Sequence, residues 1–215
     1  MERRKTPGAR LARGAETRAK ILSAAERAFA KDGLAGGRTE AIAAAAGVNK
    51  ALLYYYFKSK ERLYEAVIEE HLRAFNRQAL AILNAPGPTR ELLLRYVDLH
   101  FDFISRRHRH APLFQQFMMK GGKAAERLFR EYIVPRAQAL QKLLARGIQA
   151  GELRKADPVH TAISIAGLIV FYFSAAPRLQ IMGYADPYAA GSLKRRKQEV
   201  LDFIRHGLFV DPKIP

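Results

Sequence analysis

No cysteine occurs anywhere in the 215 residues. That absence removes disulfides, thiolate zinc sites and cysteine nucleophiles, and it implies no oxidising compartment, which leaves the cytoplasm as the default location. Acidic residues are scarce. Twenty Asp and Glu against thirty-seven Lys and Arg leave a formal charge of +17 and a pI near 10.4, a balance that suits polyanionic partners such as nucleic acid or an acidic membrane surface. Charge alone does not choose between them. Long apolar runs are missing too. The longest, AISIAGLIVFYFSAA at 162–176, is shorter than the ~20 residues a spanning helix needs, so a buried or dimer-interface helix is expected there and no membrane partner. The basic N-terminus, MERRKTPGARLARGAETR, is followed by no apolar core segment or small-residue cleavage site, so it does not read as a secretory signal. Sustained period-two alternation with turn dipeptides is absent as well, as are internal repeats and low-complexity tracts. An all-α chain follows.

What is present is enough apolar material, 49% of the residues, for one buried core or two small ones. Punctuation places the helices. Residues 1–16 read as a flexible basic arm, before a first helix from an N-cap at Thr17 to Gly33 with Ile21, Ala25, Ala28 and Phe29 on one face. Thr39 is expected to cap a short second helix that Gly47 ends, Asn49 a third to about Lys58, and Ser59 a long fourth to about Asn84. The breaker Ala85-Pro-Gly-Pro88 separates that helix from an amphipathic one beginning at Thr89. Pro135 should kink the long helix that starts after Gly121-Gly122 and ends at Gly151. Asp157-Pro158 opens an apolar helix to about Met182, and a final helix runs from about Ser192 to Leu208.

The segment GVNKALLYYYFKSKERL at 47–63 places three consecutive tyrosines between lysines. Successive helical side chains are turned by roughly 100°, so Tyr54, Tyr55 and Tyr56 cannot all face one core. Two short helices joined by Gly47-Val48-Asn49 have the length and turn chemistry of a helix-turn-helix. With Leu53 and Phe57 facing inward to Ile42, Ala46 and Val48, the opposite face presents Lys50, Ala51, Tyr54 and Lys58, with Tyr55 flanking. Lysines neutralise phosphates, and phenols donate to phosphate oxygens while their rings lie on sugars and bases. Tyr56, beside the Leu53/Phe57 face, is either a half-buried core residue or part of that surface. The arm, with Arg3, Arg4, Lys5, Arg10 and Arg13, is either a phosphate-following extension or a solvated tail. The basic run Lys194–Lys197 reads better as a solvated helix face.

From Thr17 to Val67 the chain resembles the DNA-binding domain of the TetR family of bacterial transcriptional regulators, most specifically in AAAAGVNK and YYYFKSKE. The resemblance implies a dimeric, all-helical protein: a helix-turn-helix domain at 17–63 and a helical-bundle ligand-binding and dimerisation domain at 64–215. It further implies DNA contacts from Thr39, Asn49, Lys50, Tyr54, Tyr55, Tyr56 and Lys60. Many relatives carry Gly-Thr where this chain has Ala51-Leu52. Ala51 stays within the candidate DNA surface, whereas Leu52 either contacts thymine methyls or turns inward.

For the C-terminal half, the candidate ligand-pocket lining is Phe101, Phe103, Phe114, Phe117, Met118 and Phe171, with Tyr172 as a polar handle. Such a lining suits an apolar or aromatic ligand, and the surplus of arginine leaves room for an anionic group on it. His100 is either a ligand-polarising group or a core histidine. His108 and His110 face different ways on a helix and do not make a metal site. The last two helices are the dimer-interface candidates. No nucleophile elbow, phosphate loop or metal-ligand spacing points to an enzyme or a cofactor. The expected function is a cytoplasmic homodimeric repressor on a palindromic double-stranded DNA operator, released by a small-molecule effector, with an activator or constitutive regulator as the alternative.

Overall fold

The computed structural model describes residues 7–107, 114, 117–119 and 121–210, and among them regular structure is helical throughout. Two compact units emerge, Met1–His71 and Leu72–Pro215.

The first unit holds α1 (Pro7–Gly36), α2 (Thr39–Ala45), α3 (Lys50–Phe57) and the beginning of α4 (Lys60–Leu83). Residues 7–16 are helical and not the expected flexible arm; residues 1–6 lie outside the described residues. Pro7 suits a first turn, where its missing N–H would be unpaired anyway, and the following Ala, Arg and Leu residues favour helix. Thr17 is therefore interior, flanked by the Glu16–Lys20 ion pair at 2.7 Å. Gly33 ends the regular helix with φ 69°, and one further turn follows to Gly36.

The core of this unit is Ile21, Leu22, Ala25, Phe29, Ile42, Leu53 and Phe57, all buried. Leu63, Tyr64, Val67 and Ile68 from α4 join it, with the Tyr64 ring meeting Phe29 edge-on at 5.3 Å. That packing moves the unit boundary from the expected 63/64 to 71/72, because the opening turns of α4 bury their apolar face here. Phe29 also explains Gly37: a Cβ at that position would lie 2.6 Å from the Phe29 ring, so only a bare backbone passes.

The second unit is built from the rest of α4, α5 (Thr89–Ser105), α6 (Lys123–Leu128), a π-helical turn (Phe129–Ile133), α7 (Val134–Gln149), α8 (Pro158–Ile181) and α9 (Ala190–Leu208). The kink expected from Pro135 takes the form of that π turn. The ring cannot donate to Glu131 and clashes with its carbonyl, and the widened turn absorbs the missing bond through Val134 N–H to Phe129 O. Gly151, at φ 69°, closes α7 as Glu152 N–H reaches back to Gly147 O at 2.9 Å. Asp157 caps α8 by accepting from His160 N–H at 2.8 Å. The helix takes in residues before the apolar run, so Pro158–Ala176 is long and apolar enough to cross a membrane, contrary to the shorter span legible in the sequence.

Buried residues of α4, α5, α7, α8 and α9 form one hydrophobic cluster, with Phe101 against Phe173 at 5.2 Å near its middle. The basic run is only half solvated. Arg196 donates to Leu168 O at 2.8 Å, and Lys197 pairs with Asp98 and Asp102 at 2.8 and 2.9 Å, tying α9 to α8 and α5.

Candidate nucleic-acid interface and a buried polar cluster

The turn between α2 and α3 is set by local chemistry. Gly47 takes φ 67°, its N–H bonds Ala44 O at 3.1 Å, and Val48 N–H bonds Ala43 O at 3.0 Å. These two bonds satisfy the last carbonyls of α2 and reverse the chain within three residues. Asn49 then caps α3, its side-chain oxygen accepting from Leu52 N–H at 2.7 Å. Ser59 caps α4 in the same way, accepting from Arg62 N–H at 3.1 Å. The expected cap at Thr39 is displaced by one residue. Arg38 holds the extended cap conformation without a side-chain bond, which leaves the Thr39 hydroxyl for a contact at 3.4 Å with the Tyr54 hydroxyl.

Leu53 and Phe57 are buried as expected, which fixes the opposite face of α3. Lys50, Ala51 and Lys58 are exposed, while Leu52, Tyr54 and Tyr56 are half-buried. Tyr55 is 69% exposed. The Lys58 ammonium lies 5.4 Å from its ring centre, and Tyr56 meets it edge-on at 5.5 Å. Tyr54 is drawn partly inward by its contact with Thr39, and the Lys50 ammonium lies 5.9 Å from its ring. Thr39, Lys50, Tyr54 and Tyr55 thus gather around the start and outward face of α3. Tyr56 sits further round, its hydroxyl within 3.5 Å of where a side chain on Gly14 would begin.

Two of the cations already have partners. Lys50 forms an ion pair with Glu40 of α2; this hydrogen bond raises the lysine pKa and lowers that of the carboxyl. Lys60 donates to Ala35 O at 2.9 Å, an interaction with the carbonyl end of α1 that uses one of its three donors. In the same unit an open groove of about 330 Å³ runs between α1 and α4, with Glu26 and His71 paired at 2.9 Å on its wall.

The aromatic residues expected to line a pocket scatter. Phe171 is 70% exposed and excluded from any interior, because α8 turns Ile165, Ile169 and Phe173 to the core and position 171 lies on the far side. Phe101 is fully packed against Phe173. Tyr172 spends its hydroxyl on Pro187 O at 2.7 Å. Phe114, Phe117 and Met118 are half-buried in a stretch that is only partly described, and His108 and His110 lie outside the described residues. Among the described residues no group of His, Asp and Glu is disposed to hold a metal ion. Phe103 alone joins a polar cluster, its ring 4.8 Å from Phe75.

That cluster is the feature sequence reasoning missed, apart from His100. Arg136 of α7 donates to Asn76 Oδ1 at 2.9 Å and lies over the Phe75 ring at 4.6 Å. Asn76 in turn donates to Tyr132 O at 2.6 Å. His100 is 7% exposed, stacked 4.8 Å from Phe75 and 5.7 Å from Tyr96. Burial, and then the neighbouring Arg136 charge, hold its pKa down to about 3, so the ring is neutral. Burial also lowers the Arg136 pKa, opposed by the adjacent Tyr96 phenol. A signal existed: Arg136 sits on the same helical stripe as the buried Tyr132, Ala139, Leu140 and Leu143, where a charge is out of place.

Comparison with known proteins gives matches over both units. The family model for bacterial regulatory proteins of the tetR family matches residues 21–67, and that for the tetracyclin repressor-like C-terminal domain matches residues 90–204. The chain is 31% identical over 186 residues to the HTH-type transcriptional repressor NicS of Pseudomonas putida, covering 81% of this chain and 83% of that protein. It is 32% identical over 181 residues to the HTH-type transcriptional regulator RutR of Escherichia coli, covering 82% of each. A transcriptional regulator from Saccharomonospora viridis, solved in complex with choline, shares the fold with a TM-score of 0.76 at 21% identity, over 92% of this chain and 100% of that one.

Proposed function

Because the chain belongs to the tetR family of bacterial regulatory proteins, and so is a DNA-binding transcriptional regulator, we propose that it acts as a homodimeric repressor released from a palindromic operator by a small molecule. The exposed face of α3 carries the reading. Its capped start, the Lys50 and Lys58 ammonium groups and the outward Tyr55 ring form a surface with no role in the core of its own unit, and their chemistry is that of phosphate, sugar and base-edge contact. Thr39, Asn49, Ala51, Tyr54, Tyr56 and Lys60 flank it as supporting contacts. A dimer sets two such faces in successive major grooves, about 34–36 Å apart or adjusted for half-site spacing.

The dimer surface is the outer face of α8 and α9. Val159, Ile163 and Phe171 of α8 and Phe203 of α9 are exposed at 45%, 62%, 70% and 65%, an apolar stripe that a second copy would cover. Gly167 between them has open space where a side chain would stand, which permits close approach of a partner helix. Coverage by a second copy, and not by lipid, is favoured by the match of residues 90–204 to a repressor-like domain. The protein then works in the cytoplasm, on DNA, without catalysis.

The second unit receives the ligand. A solved relative that holds choline supports a ligand site in this fold. Helix α4 contributes to both units, so a ligand that moves Asn76 acts on the helix whose opening turns pack beneath the DNA-reading helices. The effector must bind the released and DNA-bound states unequally, or it shifts nothing.

Selection of bound fragments from random duplex DNA at physiological salt tests the reading. A palindromic consensus is the expected result. Salt-labile binding with no enriched sequence would refute it.

A further inference from the structure

The cluster around Arg136 gathers a guanidinium, an amide and an imidazole from three helices around the Phe75 ring. Among the described residues no carboxylate pairs with this guanidinium, whose contacts are Asn76 Oδ1, the Phe75 ring and the Tyr96 phenol. The partly described stretch at 108–120, HRHAPLFQQFMMK, has no acidic residue to offer. A half-buried cation without a counter-ion is a costly way to fill a helix interface, where an apolar side chain would serve better. Beside it, the buried Nδ1 of His100 has no hydrogen-bond partner among the described residues. Arg136, without a carboxylate partner, and His100 Nδ1, without a hydrogen bond, thus lie on two helices, α7 and α5, against the same Phe75 ring.

We propose that the effector of this regulator carries a carboxylate, received in the second unit by the Arg136 guanidinium and by His100 Nδ1, with Asn76 and Tyr96 positioning the arginine. This deepens the ligand-released reading above and rests on it. The guanidinium presents a planar fork that matches a carboxylate through two parallel N–H···O bonds, and its contacts to Asn76 and Tyr96 leave donors of its five unused. Asn76 is itself held by the Tyr132 carbonyl, which orients its oxygen toward Arg136. A neutral imidazole whose Nδ1 bears the proton donates a further bond to the second carboxylate face.

Charge narrows the class. Arg136 and the neutral His100 offer one formal positive charge between them, and the Arg107 guanidinium lies over the Phe103 ring at 4.3 Å, so the surround favours an anion. A cation would be repelled, and an uncharged ligand would leave the arginine uncompensated. Phe75 and Phe103, stacked at 4.8 Å, with the Tyr96 ring beside His100, supply an apolar and flat surround for the body of the ligand.

The test uses the full chain and a fixed panel: benzoate, phenylacetate, isobutyrate and hexanoate, each beside its primary amide, with benzylamine and phenyl phosphate for the other charges. Melting temperature and calorimetric affinity are read for each compound, and release of the selected operator fragment is read separately. At least one carboxylate is expected to bind about tenfold or more tightly than its amide, and Arg136→Gln to weaken that binding by about 10–100-fold. Arg136→Met, without ligand, is expected to fold and to melt within a few degrees of wild type, because it removes a cation with no carboxylate partner while stranding Asn76 Oδ1. A panel in which no carboxylate outbinds its amide overturns the proposal, as does an Arg136→Met protein that unfolds, which would make the arginine structural. Carboxylate binding without operator release upholds this site and refutes ligand release. Release by an uncharged compound, with the carboxylates inert, does the reverse.

Discussion

Lowering the pH isolates His100. Its imidazole titrates at about 3 in the folded protein against 6.5 for an unperturbed histidine, because burial and then the Arg136 charge disfavour the imidazolium. Below pH 6.5 the unfolded chain therefore takes up a proton that the folded chain refuses, and stability falls as pH falls. The loss is negligible at pH 7.5 and grows by up to about 1.4 kcal/mol per pH unit, reaching about 2 kcal/mol at pH 5. His100→Leu removes the group with little change in volume and should remove this increment. Urea unfolding followed by circular dichroism at a series of pH values gives the difference between wild type and variant. That difference should shift by about 2 kcal/mol between pH 7.5 and pH 5, while other groups titrate in parallel and cancel. Parallel curves, with a constant difference, would mean that the folded imidazole protonates normally and that the cluster is open to water.

Tyr55→Ala should leave folding stability within about 0.5 kcal/mol, since the ring is exposed, yet weaken operator binding by about tenfold or more in a fluorescence-anisotropy titration. Loss of folding instead would place the ring in a packing role. Glu40→Gln frees Lys50 from its ion pair, so operator affinity should rise a few-fold at low salt and converge with wild type at high salt; unchanged affinity would remove Lys50 from the interface. Ile163→Asp, in the middle of the exposed apolar stripe, should convert the proposed dimer to monomer in sedimentation equilibrium and abolish operator binding at nanomolar protein. A dimer that survives would move the subunit contact elsewhere.

Features decided within a few residues were legible. Asn49, Ser59 and Asp157 each cap a helix through an oxygen that reaches an N–H three positions on, and Gly47 and Gly151 end helices by adopting positive φ. Both choices depend on local chemistry alone. Thr39 misled because a cap is defined by backbone geometry, and Arg38 occupies it without offering an oxygen. Thr17 misled in the opposite sense, as a residue able to cap inside a helix that began at Pro7. The outward face of α3 followed from two buried positions, Leu53 and Phe57, and a helical period. The ligand candidates rested on aromatics at helical spacing, which are ordinarily core, and Phe101 is such a residue. What marks the buried cluster is a polar residue on an apolar stripe. Asn76, Tyr96, His100 and Arg136 come from three separate helices, and only tertiary packing brings them together.

The Arg136 cluster also bears on how a ligand could work at all. Moving a two-state equilibrium from almost entirely DNA-bound to almost entirely released requires roughly 5.5 kcal/mol of differential binding. Apolar contacts that both states share contribute nothing to that difference. Charge-assisted hydrogen bonds of about 1.5–3 kcal/mol each reach it with two or three, provided they form fully in one state only. On the proposal above, Arg136 and His100 meet that condition through a change in the spacing of the helices that carry them, α7 and α5, with Asn76 on a third. A carboxylate that bridges them fixes the spacing of those helices, giving Arg136 a counter-charge and giving His100 Nδ1, which has no partner among the described residues, a hydrogen bond. On the proposal above, a guanidinium without a carboxylate and a ring nitrogen without a partner among the described residues supply the difference in energy between the two states, and a variant that replaces both with apolar side chains should fold and be unresponsive.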